Sequence, residues 1–258
     1  MMFDDAVLVP ILLERRFIMP IGVIVNSLSV LFGGIVGAFL GDRVPERIRT
    51  SLPLIFGVAS MSMGITTIVK MHTLPAVILA VIVGTTIGEL IQFEQGIEGW
   101  SNKARGPIEK LFSSKAGIEN PKDFMDQFVS IVILFCASGT GVFGALQSGM
   151  TGDHTILLAK SILDFFTAGI FAAALGYMVA AIFIPQFIVL LILFLAASFI
   201  MPLTTPAMLA DFSACGGILM LATGFRICGI KSFPIGNMLP AMVIVMPLSW
   251  IWITYCNF

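Results

Sequence analysis

Charge is what this chain has least of. Of its 258 residues, 11% are charged and 58% are hydrophobic, whereas a soluble domain carries roughly 25% charged residues. A surface this poor in ions cannot stay solvated by water, so the solvent must be a bilayer. Net charge is −1, which removes any global basic signal for nucleic acid. Only two histidines occur, His72 and His154, far apart in the sequence. The four cysteines, Cys136, Cys215, Cys228 and Cys256, sit in or beside apolar runs without paired spacing. They read as buried thiols rather than a disulfide or zinc framework, and no metal site and no cofactor are expected. Other absences narrow the function. There is no GxxxxGK[ST] loop, no HExxH and no GxSxG elbow. No arginine ladder of a voltage sensor and no TVGYG-like filter is present. An enzyme is therefore not expected.

What the chain does have is long apolar runs, at about 21–41, 52–69, 74–92, 127–147, 155–183, 186–203, 207–225 and 235–255. A helix crosses the hydrocarbon core with about 20 apolar residues, and a span cannot show unpaired backbone to lipid. The fold class is accordingly all-α, a polytopic transmembrane bundle of about eight spans. Two runs depart from the simple pattern. Run 155–183 is long enough to tilt steeply or to break near Gly176. Run 186–203 is short and bracketed by Pro185 and Pro202.

Basic residues test the count. With eight spans and the N-terminus outside, three loops fall on one side. They hold Arg43, Arg47 and Arg49; Lys103, Arg105, Lys110, Lys115 and Lys122; and Arg226 and Lys231. Apart from the first 18 residues, the opposite side holds only Lys70. The positive-inside rule then puts both termini on the non-cytoplasmic side. Residues 1–18 fit badly, because Arg15 and Arg16 would lie on the side poor in positive charge, and the stretch lacks the basic start of a signal peptide. It reads as an N-terminal extension, or a start-site artefact ahead of Met19. Residues 19–258 then form one integral membrane domain, with a polar cytoplasmic connector at about 93–126.

An internal similarity runs through the chain. GVASMSMGITTI followed by LPAVILAVIVG resembles GGILMLATGFRI followed by MLPAMVIVM. Gly57 and Gly64 match Gly217 and Gly224, and Leu74-Pro75 matches Leu239-Pro240. The two pairs lie five spans apart, and an odd offset reverses orientation in the membrane. That is the pattern of an inverted repeat, common in secondary transporters.

Polar residues inside the runs are the candidates for chemistry. Lys160 and Asp164 are spaced i, i+4 and share one helix face; Ser161 lies about 100° away around the helix. Ionisable groups in a span are costly, and they are paired or functional when present. One reading has Asp164, Lys160, Gln147 and Asp153 lining a polar cavity for an ion or solute. The other makes the pair a self-neutralising lock on helix packing. Asn26 in the first run carries the same two readings. Gly33, Gly37 and Gly41, with Gly84 and Gly88, form small-residue stripes that serve internal packing or a homodimer.

Several strings together are distinctive: MPIGVIVNSLSVLFGGIVGAFLG with VPERI, GALQSGMTGD, LLAKSILDFFTAGIFAAALG, SACGGILMLATGFRICGIK and NMLPAM. From Met19 onward the chain resembles the bacterial "domain of unknown function 554" family of inner-membrane proteins. The resemblance implies the bacterial cytoplasmic membrane and supports a start near Met19. It supplies no activity, and a transporter-like role in that family is only conjectured. The positions it carries over are Asn26, Gln147, Asp153, Lys160, Ser161 and Asp164. The function expected is a secondary transporter or channel for a small ion or solute; the alternative is a non-catalytic membrane scaffold or regulatory subunit.

Overall fold

A computed structural model describes residues 19–97, 99, 128, 131–132, 134–136 and 138–256. The N-terminal extension 1–18 and most of the connector expected at 93–126 lie outside the described residues. The helices are α1 (Ile21–Leu40), α2 (Glu46–Ile68), α3 (Leu74–Leu90), α4 (Gly139–Thr151), α5 (Thr155–Leu175), α6 (Phe183–Ile200), α7 (Pro206–Ile227), α8 (Ile235–Met238) and α9 (Pro240–Tyr255). No strand occurs among the described residues. The molecule is a helical membrane bundle: α1, α2, α7, the α5–α6 stretch and the α8–α9 stretch are long and apolar enough to cross a membrane, and α3 is a shorter apolar helix.

Local chemistry sets the helix ends. Thr205 caps α7 by accepting from the Met208 amide at 3.3 Å, and Pro206 follows at the first position, where a missing N–H costs nothing. α5 stops at Gly176, whose φ of 71° is a backbone state that side chains resist. A 3-10 segment, Gly176–Ile182, then leads into α6, so the long run 155–183 does break where its glycine lies. The run 127–147, expected as one span, is also interrupted. Phe128 and the described residues from Ile131 to Cys136 are helical, Ser138 is extended at φ −68° and ψ 138°, and α4 begins anew at Gly139. Ser138 Oγ accepts from the Gly141 amide at 3.1 Å, so the second half starts with its own cap.

Helix directions follow from close contacts. A Cβ on Gly33 would lie 2.2 Å from the Phe165 carbonyl oxygen, and one on Gly37 would lie 2.1 Å from that of Gly169. Residue numbers rise together, so α1 and α5 run parallel. α2 and α7 run antiparallel: Gly57 meets Gly224 and Gly64 meets Gly217, with Cβ-to-carbonyl distances of 2.5–2.9 Å from either side. Gly84 against Ala241 and Gly88 against Asn237 make α3 and the α8–α9 stretch antiparallel too. These directions are those of an eight-span count in which the segment before Ser138 joins α4 and α8 joins α9.

The outside is oily and the inside is not. Along α6, Ile184, Ile188, Ile192, Leu195 and Phe199 are exposed on one stripe, while Gln186, Leu190 and Phe194 point inward. Lipid tails are as apolar as leucine, so burying leucine drives no association here. Close backbone approach at small residues holds the helices instead. Replacing Gly37 with valine is therefore expected to cost about 1–3 kcal/mol or more by overpacking, read as a lower melting temperature of the purified protein. Gly96→Ala, where an added Cβ meets nothing within 4 Å, is the control expected to melt like the parent.

Candidate functional site

Three helices bring their polar side chains to one buried point. Asp164 Oδ2, in the middle of α5, accepts from Asn26 Nδ2 of α1 at 2.9 Å, from Gln186 Nε2 of α6 at 3.0 Å, and from Lys160 Nζ one turn earlier on α5. Gln186 Nε2 also donates to Asn26 Oδ1 at 2.7 Å. Asn26 and Gln186 are fully buried, Lys160 is 4% exposed and Asp164 is 7% exposed. The Lys160 ammonium stands 5.8 Å from the Phe135 ring centroid, a cation–π contact. Lys160 does not reach for an interface; it turns inward to its partner.

Beside this network lies a cavity of about 460 Å³. Lys160, Leu163, Asp164, Thr167, Ile170 and Phe171 form its α5 wall. Their spacing is one face of a helix, about 16 Å long at 1.5 Å per residue. Ser138, Gly139 and Thr140 at the start of α4 also line it. At its far end stand Arg49, Glu94 and Arg226, where Arg226 Nη1 pairs with Glu94 Oε1 at 2.7 Å. Arg226 is 45% exposed there, so this end is the mouth and the Lys160–Asp164 pair is the floor.

The remaining sequence candidates do not join the network. Ser161 Oγ donates back to the Leu157 carbonyl at 2.7 Å. Gln147 and Asp153, expected to line the same cavity, lie elsewhere, Gln147 near the end of α4 and Asp153 in the turn from α4 to α5. Gln147 Nε2 donates to Asp153 Oδ2 at 3.3 Å, and Asp153 Oδ1 accepts from the Thr155 amide at 2.9 Å. Beside them Ser148 Oγ and His154 Nδ1 are 2.5 Å apart. The expectation failed because closeness in sequence was taken for closeness in space. Gly152, at φ 73°, ends α4 and turns the chain, so Asp153 stays at the helix end while Asp164 lies two to three turns deeper. Burial raises the Asp153 pKa, but the Thr155 hydrogen bonds, Gln147 and the Lys70 charge outweigh it and hold the carboxyl below its ordinary value.

Gln186 is the residue that the sequence reading passed over. It was taken as the edge of a short run after Pro185. The signal was the one that singled out Asn26, a primary amide inside an apolar run. A second buried carboxylate, Asp211, lies in the first turns of α7. It is fully buried, and it accepts from the His72 and Thr73 amides at 2.8 and 2.6 Å and from Ser249 Oγ at 2.7 Å. It ties the turn between α2 and α3 to α7 and α9. Among the described residues no cluster of three or more His, Cys, Asp or Glu is placed to hold a metal ion.

The family described as "Protein of unknown function (DUF554)" matches residues 21–250. The chain belongs to this family. It is 53% identical over 234 residues to "Uncharacterized protein YqgA" of Escherichia coli (strain K12), covering 91% of this chain and 98% of that protein. It is 26% identical over 229 residues to "Uncharacterized membrane protein YdfK" of Bacillus subtilis (strain 168), covering 86% of this chain and 93% of that one. No solved structure matches.

Two stability predictions follow from this geometry. Lys160→Met leaves the Asp164 carboxylate buried without its ammonium, and removing one partner of a buried pair costs about 3–5 kcal/mol. The double variant Lys160→Met/Asp164→Leu is expected to regain most of that loss, as measured by denaturation of the purified proteins. Asp153 behaves differently because its pKa is lowered on folding. Its stabilising contribution is complete above the ordinary value of 3.8 and is lost as pH falls toward the lower folded value. Asp153→Asn should thus melt below the parent at neutral pH, and the gap should close as pH drops below about 4.

Proposed function

We propose that this protein is a secondary transporter for a small ion or solute across the bacterial cytoplasmic membrane, and that it needs no cofactor and catalyses no bond change. The observation that carries the reading is a buried ammonium–carboxylate pair at the floor of a cavity that opens at one end of the bundle. Ionisable groups at such depth mark solute and ion pathways. Broken helices strengthen the reading, because irregular backbone within a membrane is tolerated where it is buried in protein or lines a cavity. The Ser138 break does line it.

A carrier is favoured over a channel because the cavity ends at the pair. Past it lie Asn26, Gln186 and tightly packed Leu157 and Leu190. The reciprocal packing of α2 and α7 supports an inverted repeat: matching Gly57 with Gly217 and Gly64 with Gly224 turns one glycine contact into the other. A two-fold relation gives reciprocity of this kind, and it offers two halves that can rock against each other. In this proposal, following the positive-inside rule, the mouth with Arg49 and Arg226 faces the cytoplasm and both termini lie outside. Of the glycines that suggested a homodimer, Gly33, Gly37, Gly84 and Gly88 pack within one chain, and a Cβ on Gly41 would meet nothing within 4 Å; the mechanism requires no second copy. In this scheme Asp164 exchanges partners when an ion or proton binds.

The test is solute-evoked current or uptake in proteoliposomes at two pH values, with Asp164→Asn alongside. A saturable signal that is lost in the variant supports the reading. Signal from Asp164→Asn equal to the parent, with unchanged pH dependence, removes Asp164 from the mechanism. Silence from folded, inserted protein across anions, cations and metabolites favours the scaffold alternative.

A further inference from the structure

The cavity floor is unusual in showing both halves of an ion pair to the same space. Lys160 and Asp164 each line it. Asp164 Oδ2 holds all three of its donors, and among the described residues Oδ1 accepts no hydrogen bond. One carboxylate oxygen, on a residue 7% exposed, is thus left as an acceptor beside the cavity. That oxygen is open to the cavity, where a ligand donor can reach it and form a charge-assisted hydrogen bond.

The other side of the floor is positive. The first amides of a helix have no acceptor within that helix. In α4 Ser138 takes the Gly141 amide; among the described residues no side chain takes those of Gly139 and Thr140, both cavity residues. The Lys160 stem crosses this first turn, since a Cβ on Gly141 would lie 3.2 Å from Lys160 Cε. An ammonium beside the positive end of a helix lacks a second anion that would satisfy both. Above this polar floor the walls are apolar, with Phe56, Leu134, Phe135, Leu163, Ile170 and Phe171.

A lone anion here meets the Asp164 carboxylate, and a lone cation meets Lys160 and the α4 terminus. A zwitterion with its two charges on neighbouring atoms satisfies both. We infer that the cavity binds a small zwitterion with an apolar body, the chemistry of a neutral α-amino acid. Its carboxylate faces Lys160 and the first amides of α4, its ammonium faces Asp164 Oδ1, and its side chain lies along the α5 wall. The inference rests on the transporter reading only for what happens after binding.

Binding to the purified full chain in nanodiscs, followed by calorimetry, tests it. The probes are L-leucine and L-phenylalanine, each with its analogue lacking the amine and its analogue lacking the carboxylate. At least one amino acid should bind, and both of its analogues should bind roughly 10- to 100-fold more weakly, since losing one charged hydrogen-bond partner costs about 1.5–3 kcal/mol. Thr167→Phe, which fills the cavity without touching the charge pair, should abolish binding in protein that melts normally. The inference is overturned if a carboxylate-only or amine-only analogue binds as tightly as its parent. It is also overturned if neither amino acid binds to folded protein, or if Thr167→Phe leaves binding intact. Proteoliposome uptake separates the two ideas. Binding without uptake keeps the site and removes transport, whereas uptake of another solute without amino-acid binding does the reverse.

Discussion

Asp164 Oδ2 joins α1, α5 and α6 through Asn26, Lys160 and Gln186. A carboxylate taken from water into a bundle core is tolerated only when charge and hydrogen bonds replace its hydration. Here every replacement comes from a different turn or a different helix, so the geometry must be right at all of them together. That demand explains the close seam below the site. α1 can bring Asn26 to Asp164 only because Gly33 and Gly37 let its backbone lie on that of α5. Larger side chains there would hold the helices apart and strand the carboxylate. The glycines and the charge are one device, with packing at one end and polarity at the other.

Membrane energetics makes such a device stronger than it would be in a soluble protein. The exposed faces of α1 and α6 carry isoleucine, leucine, valine and phenylalanine, and these gain nothing by turning inward. Specificity in the fold must come from shape and from polar groups. Asp211 shows the same logic away from the cavity. It is fully buried, and both of its oxygens are satisfied by a turn and a neighbouring helix. The two carboxylates differ in what is left over. Asp211 is closed on all sides by protein donors, whereas Asp164 keeps one oxygen beside open space.

This contrast bears on how much the sequence could reveal. Asn26, Lys160 and Asp164 stood out because a polar residue in an apolar run must find a partner, and the i, i+4 spacing paired the charges directly. Helix count and direction were legible for a related reason, since basic residues on one side leave a parity that a wrong count would break. Gly176 was legible as a breaker. Ser138 was not: Ala-Ser-Gly-Thr-Gly reads as one more glycine-rich stretch of helix, and only the backbone shows the cap. Gln186 hid behind Pro185, at what looked like the end of a run. Asp153 misled in the opposite way, because a left-handed glycine at 152 keeps it at the helix end, where Gln147 of α4 meets it. Periodicity finds faces, but a turn's dihedral angles decide which faces meet.

The two ends of the bundle are held by different means. At one end Asp211 holds the turn between α2 and α3 through backbone amides and Ser249, all of them buried or half-buried. At the other, the turn before α9 is held by Asn237, whose Oδ1 accepts from the Glu94 amide at 2.7 Å, and by the Arg226–Glu94 pair. An exposed ion pair of this kind contributes about 0–1 kcal/mol, far less than a fully desolvated carboxylate with three donors. Rearranging the mouth is therefore the cheap motion and breaking the Asp211 seal is the expensive one. If α2–α3 and α7–α9 are equivalent halves, a state open at the Asp211 end needs another source of energy to offset that difference. The binding energy at the floor is the source available, because Asp164 sits where α5 meets both α1 and α6.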